Sequence, residues 1–201
     1  VIAGSIAANG GRSCINASGV WTPRNAEAIA DALAQRFAKV APLPVDDPDA
    51  TIAAFASAAT AQSISEAIDH DLKTDGAIDV TQQRRGSPRL VHRGRVAYLL
   101  PTIIRCDDRD HALANREFLF PFASVVTCET GQMAEAIGPS LVVSAITSDE
   151  SLIRSLMSSA NIDRLNIGAI PTYQLSWDQP HEGNLFEHLY RRRALQIEPA
   201  A

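Results

Sequence analysis

Only three of the 201 residues are cysteine: Cys14, Cys106 and Cys128. An odd number cannot all pair within one chain, and three thiols in a chain of this length do not make a disulfide framework. This usage predicts a reducing, cytoplasmic compartment. Long apolar runs are also missing. The uncharged opening stretch, residues 1–11, has no basic flank before it and falls far short of the ~20 apolar residues of a membrane span. No export signal and no membrane partner are expected.

Positive charge is scarce and one-sided, with 16 Arg against 2 Lys and a net charge of −5. That balance argues against general attraction to nucleic acid or anionic lipid. Two arginine runs stand out, Arg84, Arg85, Arg89, His92, Arg93 and Arg95 in one, and Arg191, Arg192 and Arg193 in the other. Neither has interleaved aromatics on which bases would stack, so both read as solvated loop charges or intersubunit ion pairs, with no nucleic-acid partner. There is no Gly-x-Gly-x-x-Gly and no P-loop. His-Glu-x-x-His fails at His181-Glu182 because Leu185 occupies the fifth place, so no metal site is expected.

What is present is a core-forming chain, 46% hydrophobic and 20% charged with 11 Gly and 11 Pro. Such a composition excludes collagenous and highly charged disordered polymers, and the length suits one domain or one and a half. The chain opens without an initiator Met inside a small-residue helix over residues 1–9, which reads as a piece of a longer polypeptide. Gly10 and Gly11 end that helix, residues 12–17 form a loop, and 19–21 a short strand. Thr22 and Pro23 predict an N-cap and first position for an amphipathic helix through Ala26, Ile29, Leu33, Phe37 and Val40. Asp47 and Pro48 predict a further helix start, with an apolar side through Ile52, Phe55, Ala59, Ile64 and Ile68. Strands are expected over 77–81, 90–92, 96–104, 123–128, 141–146 and 164–167, and helices over 108–114, 131–137 and 149–159. Alternation at this rhythm predicts a three-layer α/β fold with a largely parallel sheet. Leu185, Leu189 and Tyr190 fit a short helix, and residues 194–197 a final strand.

The segment Gly11-Arg12-Ser13-Cys14 puts a thiol on a loop between two regular elements, a setting that exposes a nucleophile. Cys106 and Cys128 lie in apolar strand-like settings, where a buried inert thiol is the default. Further along stand Pro101-Thr102-Ile103-Ile104, Arg116-Glu117-Phe118-Leu119-Phe120-Pro121, Ile146-Thr147-Ser148-Asp149 and Leu165-Asn166-Ile167-Gly168. In order and spacing these segments, with the Cys14 loop, resemble the catalytic half of an aldehyde dehydrogenase over about residues 1–175.

The resemblance implies that Cys14 is the nucleophile and that its backbone N–H supplies half of an oxyanion hole. Glu117 takes the place of the Glu that hydrogen-bonds a nicotinamide ribose, and Leu119 falls where the family usually has a Phe beside the nicotinamide. Phe120 replaces a Gly before Pro121. The implied reaction is oxidation of a small-molecule aldehyde through a Cys14 thiohemiacetal and thioester, with NAD or NADP as acceptor and water or CoA resolving the thioester. Arg12 stands in place of the usual Gln, either helping to ionise the thiol or, the favoured alternative, holding structure. The family's general base, oxyanion Asn and nucleotide-binding domain lie N-terminal to the thiol.

Residues 1–178 are therefore expected to form the aldehyde-dehydrogenase-like catalytic domain, and 179–201 a tail suited to oligomerisation. Family members commonly form dimers or tetramers, which implies a homo-oligomer. From a different class, a catalytically inert scaffold that keeps the fold is consistent with Leu119, Phe120 and the altered tail.

Overall fold

The structure, a computed structural model, describes residues 1–176. The small-residue opening forms α1 (Ile2–Ala7) and tightens into a 3₁₀ turn over Ala8–Gly11. Asn9, Gly10 and Gly11 take φ values of 52°, 65° and 70° there, the left-handed region in which a helix cannot continue. After the loop comes β1 (Gly19–Thr22). The expected cap at Thr22 is not formed. A residue before proline is held in extended backbone, so Thr22 stays in the strand and its hydroxyl donates to the Arg24 carbonyl at 2.6 Å. Helix α2 (Ala26–Phe37) starts after Asn25 and buries Ala26, Ala30, Leu33, Ala34 and Phe37 along one stripe.

The helix expected from Asp47-Pro48 is also corrected. Its apolar residues split: Phe55 bridges to Ala97 from a loop, its N–H donating to the Ala97 carbonyl at 2.8 Å. Helix α3 (Ala58–Asp71) begins only where Ser57 offers its hydroxyl to the Thr60 N–H. The run 77–81 divides in the same way. It gives β2 (Ala77–Asp79), then α4 (Val80–Arg85), because the Asp79 carboxylate accepts the Gln82 N–H at 2.7 Å and starts a helix.

Strands β3 (Leu90–Arg93) and β4 (Val96–Leu99) form an antiparallel hairpin. The expected continuous strand over 96–104 breaks at Pro101, which has no N–H for a ladder, and β5 (Thr102–Cys106) belongs to another sheet. No helix forms over 108–114. Local side-chain bonds replace it, with Asp108 accepting the Asp110 N–H at 2.8 Å and His111 Nδ1 accepting the Leu113 N–H at 3.1 Å. The chain continues through β6 (Phe122–Thr127), a 3₁₀ turn over Thr130–Gln132, α5 (Met133–Ile137) and β7 (Ser140–Ala145). Helix α6 (Glu150–Ser158), capped by Asp149, and β8 (Ile162–Ile167) follow.

The central sheet runs β1-β6-β5-β2, with β1, β6 and β5 parallel and β2 antiparallel, while β7 and β8 form a separate parallel pair. Side chains alternate across the central sheet. Ile103, Ala123 and Val125 meet α1 and α2 on one face, and Ile104, Cys106, Phe122 and Val126 meet α3 and the β3–β4 hairpin on the other. The result is the expected α/β layering with a mostly parallel sheet.

One arginine departs from its expected solvated setting. Arg89 is 1% exposed and donates to Asp69 at 2.6 Å, Asp79 at 2.8 Å and the Ser65 carbonyl at 3.2 Å. Two carboxylates close by are what make a buried guanidinium tolerable, so it bolts α3 to the β2–α4 corner within the chain. Arg85 is half-buried and donates to the Pro101 carbonyl, while His92, Arg93 and Arg95 are exposed. Among the described residues no helix is long and apolar enough to cross a membrane. The expected helix at 185–190 and strand at 194–197 lie outside the described residues.

Candidate active site

Because β1 and β6 are parallel, with Gly19 opposite Ser124, the loops that enter them lie at the same end of the sheet. The loop before β1 carries Cys14 and the loop before β6 carries Glu117, so the topology brings together residues that are far apart in sequence. Both side chains are exposed and both line one cavity of about 890 Å³. Its long walls are β1 and β7, with Asn16, Asn115 and Arg116 at the same end as the thiol.

Gly11 fixes the two loops to one another. A Cβ built on it would lie 2.7 Å from the Phe120 carbonyl oxygen and closer still to the Pro121 nitrogen, and its φ is 70°. Glycine is the residue that meets both conditions. The loop before β6 then makes a tight turn in which the Phe120 N–H donates to the Phe118 carbonyl at 2.9 Å. Phe118 and Phe120 turn inward onto Phe122, with ring centroids 4.8 and 5.8 Å from it. Leu119, between them, is thrown outward, 60% exposed, and is not among the residues lining the cavity. The structure thus brings Cys14 and Glu117 together and leaves Leu119 apart from them.

The Cys14 loop is anchored on both sides. On the outside Arg12 donates through Nη2 to the Ala53 and Ala54 carbonyls at 3.0 and 2.9 Å, and its guanidinium lies 4.8 Å above the Phe55 ring. Arg12 therefore has the structural role of the two considered. On the inside the Asn16 carboxamide accepts the Ser13 N–H at 2.7 Å and donates to the Ser5 and Ala8 carbonyls at 3.0 and 2.9 Å. Nothing in the one-dimensional pattern singles out Asn16. The signal available was generic, an Asn in a short polar loop, where its side chain commonly bonds local backbone.

The other two thiols differ in kind. Cys106 is fully buried, and burial foremost pushes its pKa from an ordinary 9.0 up to about 12. Burial also raises that of Cys128. Among the described residues no group of three or more His, Cys, Asp or Glu side chains is placed to hold a metal ion. The residues present fit the nicotinamide-ribose end of a dinucleotide: an exposed Glu117 carboxylate at the cavity offers acceptors to vicinal hydroxyls, beside Asn115.

The sequence matches the model of the aldehyde dehydrogenase family over residues 1–174. No curated protein matches it. Among solved structures it is similar to lactaldehyde dehydrogenase from Escherichia coli, with 16% identity and a TM-score of 0.72 over 90% of this chain and 37% of that one. It is similar also to the NAD+ complex of an aldehyde dehydrogenase from Bacillus cereus, with 17% identity and a TM-score of 0.69 over 87% and 35%. A 1-pyrroline-5-carboxylate dehydrogenase gives 16% identity and a TM-score of 0.70 over 91% and 34%. At such identities the likeness is one of fold, and the chain spans little more than a third of these structures.

Proposed function

The chain belongs to the aldehyde dehydrogenase family, and from that premise we propose that it is the thiol-bearing catalytic portion of an NAD(P)-dependent enzyme that oxidises a small aldehyde. The observation that carries the reading is the placement of Cys14 and Glu117 on one cavity at one end of the parallel sheet. The division proposed is a catalytic domain over residues 1–178 and a tail over 179–201 that serves contacts in a homo-oligomer, in the cytoplasm.

In this reading the Cys14 thiolate adds through Sγ to the aldehyde carbon. The carbonyl electron pair moves to oxygen, and the Cys14 backbone N–H stabilises the charge that develops there. NAD or NADP, when bound, supplies the hydride acceptor, and Glu117 holds its nicotinamide ribose through the carboxylate. Loss of hydride from the thiohemiacetal carbon leaves a thioester on Cys14. Water, or the thiol of CoA, adds to that thioester and restores the Cys14 thiol. Leu119, turned outward and off the cavity, takes no part in holding the cofactor in this reading.

The test is aldehyde-dependent NAD(P)H formation by the full polypeptide, with and without CoA, beside Cys14→Ser. Activity lost with the thiol supports the reading, and a requirement for CoA identifies the acyl acceptor. Parent activity in Cys14→Ser would remove Cys14 from the chemistry. The outward position of Leu119 favours one second reading, an inert scaffold, which predicts no turnover in the parent across a broad aldehyde panel.

A further inference from the structure

We infer that Asn16 is a positioning residue for the Cys14 thiol, an inference that rests on the reading of Cys14 as nucleophile. Ser13 to Asn16 is a four-residue turn closed by the Asn16 N–H donating to the Ser13 carbonyl at 3.0 Å, and Cys14 and Ile15 are its two central residues. The same turn is closed a second time in the opposite sense, because the Asn16 Oδ1 accepts the Ser13 N–H at 2.7 Å. The turn that carries the thiol is therefore closed twice by one residue, once by its backbone N–H and once by its side chain.

That side chain is in turn fixed to the rigid part of the fold. Both Nδ2 hydrogens are committed, one to the Ser5 carbonyl at 3.0 Å and one to the Ala8 carbonyl at 2.9 Å. Ser5 lies in α1 and Ala8 opens the 3₁₀ turn that follows it, so the side chain is held across the end of the helix. The Ala17 N–H donates to Ser5 as well, at 3.0 Å, so the turn is docked on α1 at consecutive residues. Ser5 is itself buried and its hydroxyl accepts the Thr172 N–H at 3.1 Å, which ties this anchor to the chain beyond β8.

The allocation of bonds decides what Asn16 does. With both N–H groups held by the Ser5 and Ala8 carbonyls it has none to offer an oxyanion, so it acts on the reaction through the placement of Cys14 and not by contact with the substrate oxygen. Arg12 holds the same loop from the opposite side at residues 53–54, yet it precedes the turn and leaves the Ser13–Asn16 geometry unset. Placement errors of about 1 Å in a reacting group lower rates by about a hundredfold, which sets the scale of the effect.

The experiment compares the full polypeptide, its Asn16→Ala variant and its Cys14→Ser variant by kcat, KM for the aldehyde, and the rate of iodoacetamide alkylation at each cysteine. In Asn16→Ala the expected result is a kcat lowered by about tenfold or more, KM changed by less than about twofold, and Cys14 alkylated at near the parent rate. A small reagent needs only an accessible thiol, whereas turnover needs it in place, so this split is one that a helix-capping role alone does not produce. Cys106 and Cys128 report folding, since they remain unlabelled while the core is closed. If they become labelled, Asn16→Asp, which keeps the acceptor for Ser13 and loses both donors to Ser5 and Ala8, makes the same comparison. Parent kcat in a folded Asn16 variant, with Cys14→Ser inactive, overturns the positioning role and spares the nucleophile. Parent kcat in Cys14→Ser overturns the nucleophile itself.

Discussion

Gly11 lies directly against the backbone of Pro121, so close that a single added methyl would overlap the proline nitrogen. Through that contact the loop that presents Cys14 rests on the segment that presents Glu117. Gly11→Ala must therefore relieve a collision with backbone that cannot rotate away, and must do so from a left-handed φ of 70°. We expect a loss of about 2–4 kcal/mol in denaturant unfolding, combining overpacking with backbone strain. Gly86, also left-handed but with open space around its Cβ position, is the comparison: Gly86→Ala should lose about 1 kcal/mol.

Arg12 is held by two carbonyls and one aromatic ring. Arg12→Lys keeps the charge and loses the planar fork and its stacking, so its stability should fall by about 1 kcal/mol. Aldehyde turnover should be the same in Arg12→Lys and Arg12→Gln. Turnover lowered in Arg12→Gln alone would return Arg12 to an electrostatic role at the thiol.

The Arg89 network makes an asymmetric prediction. Asp79→Ala leaves a buried guanidinium short of one of its two carboxylates, the one at 2.8 Å, and also removes the cap of α4. Breaking a buried pair from one side costs about 3–5 kcal/mol, whereas replacing both partners together by apolar side chains of similar volume is often much milder. Equilibrium unfolding should show Asp79→Ala to be more destabilised than the double variant Asp79→Leu with Arg89→Met, in which neither buried charge is left unpaired.

Cys106 gives a pH prediction. Its pKa is raised from 9.0 unfolded to about 12 folded, so between those values the unfolded chain has released a proton that the native state retains. Unfolding is then favoured by rising pH, and the stabilisation that is full below pH 9 declines toward pH 12 with a slope of up to about 1.4 kcal/mol per pH unit. Denaturant titrations of the parent and Cys106→Ala across that range should diverge, the parent falling more steeply.

How much of this was legible in the sequence depends on the range of the interactions that decide it. Helix α2 was readable because Ala26, Leu33 and Phe37 repeat at helical spacing and bury together. Its start was not, because Pro23 acts backward on Thr22 and keeps it extended. Ile52 and Phe55 carried the same apolar spacing as α3, yet a partner in β4, Ala97, held Phe55 in a loop. Arg89 looked like one solvated charge among several, and only the folded positions of Asp69 and Asp79 make it a core residue. At the site, Cys14 and Glu117 were legible through their resemblance to a family motif. Asn16 was not, since its partners are backbone groups of Ser5, Ala8 and Ser13, and backbone groups have no sequence signature.

The central claim is that Cys14 carries the acyl group, and mass spectrometry of the cysteine peptides after a single turnover tests it most directly. With aldehyde and NAD(P)+ mixed and quenched in acid, the account predicts the acyl mass on the Cys14 peptide and on neither the Cys106 nor the Cys128 peptide. NAD(P)H formation with Cys14 unmodified at every quench time, or with the acyl group on another residue, would contradict it.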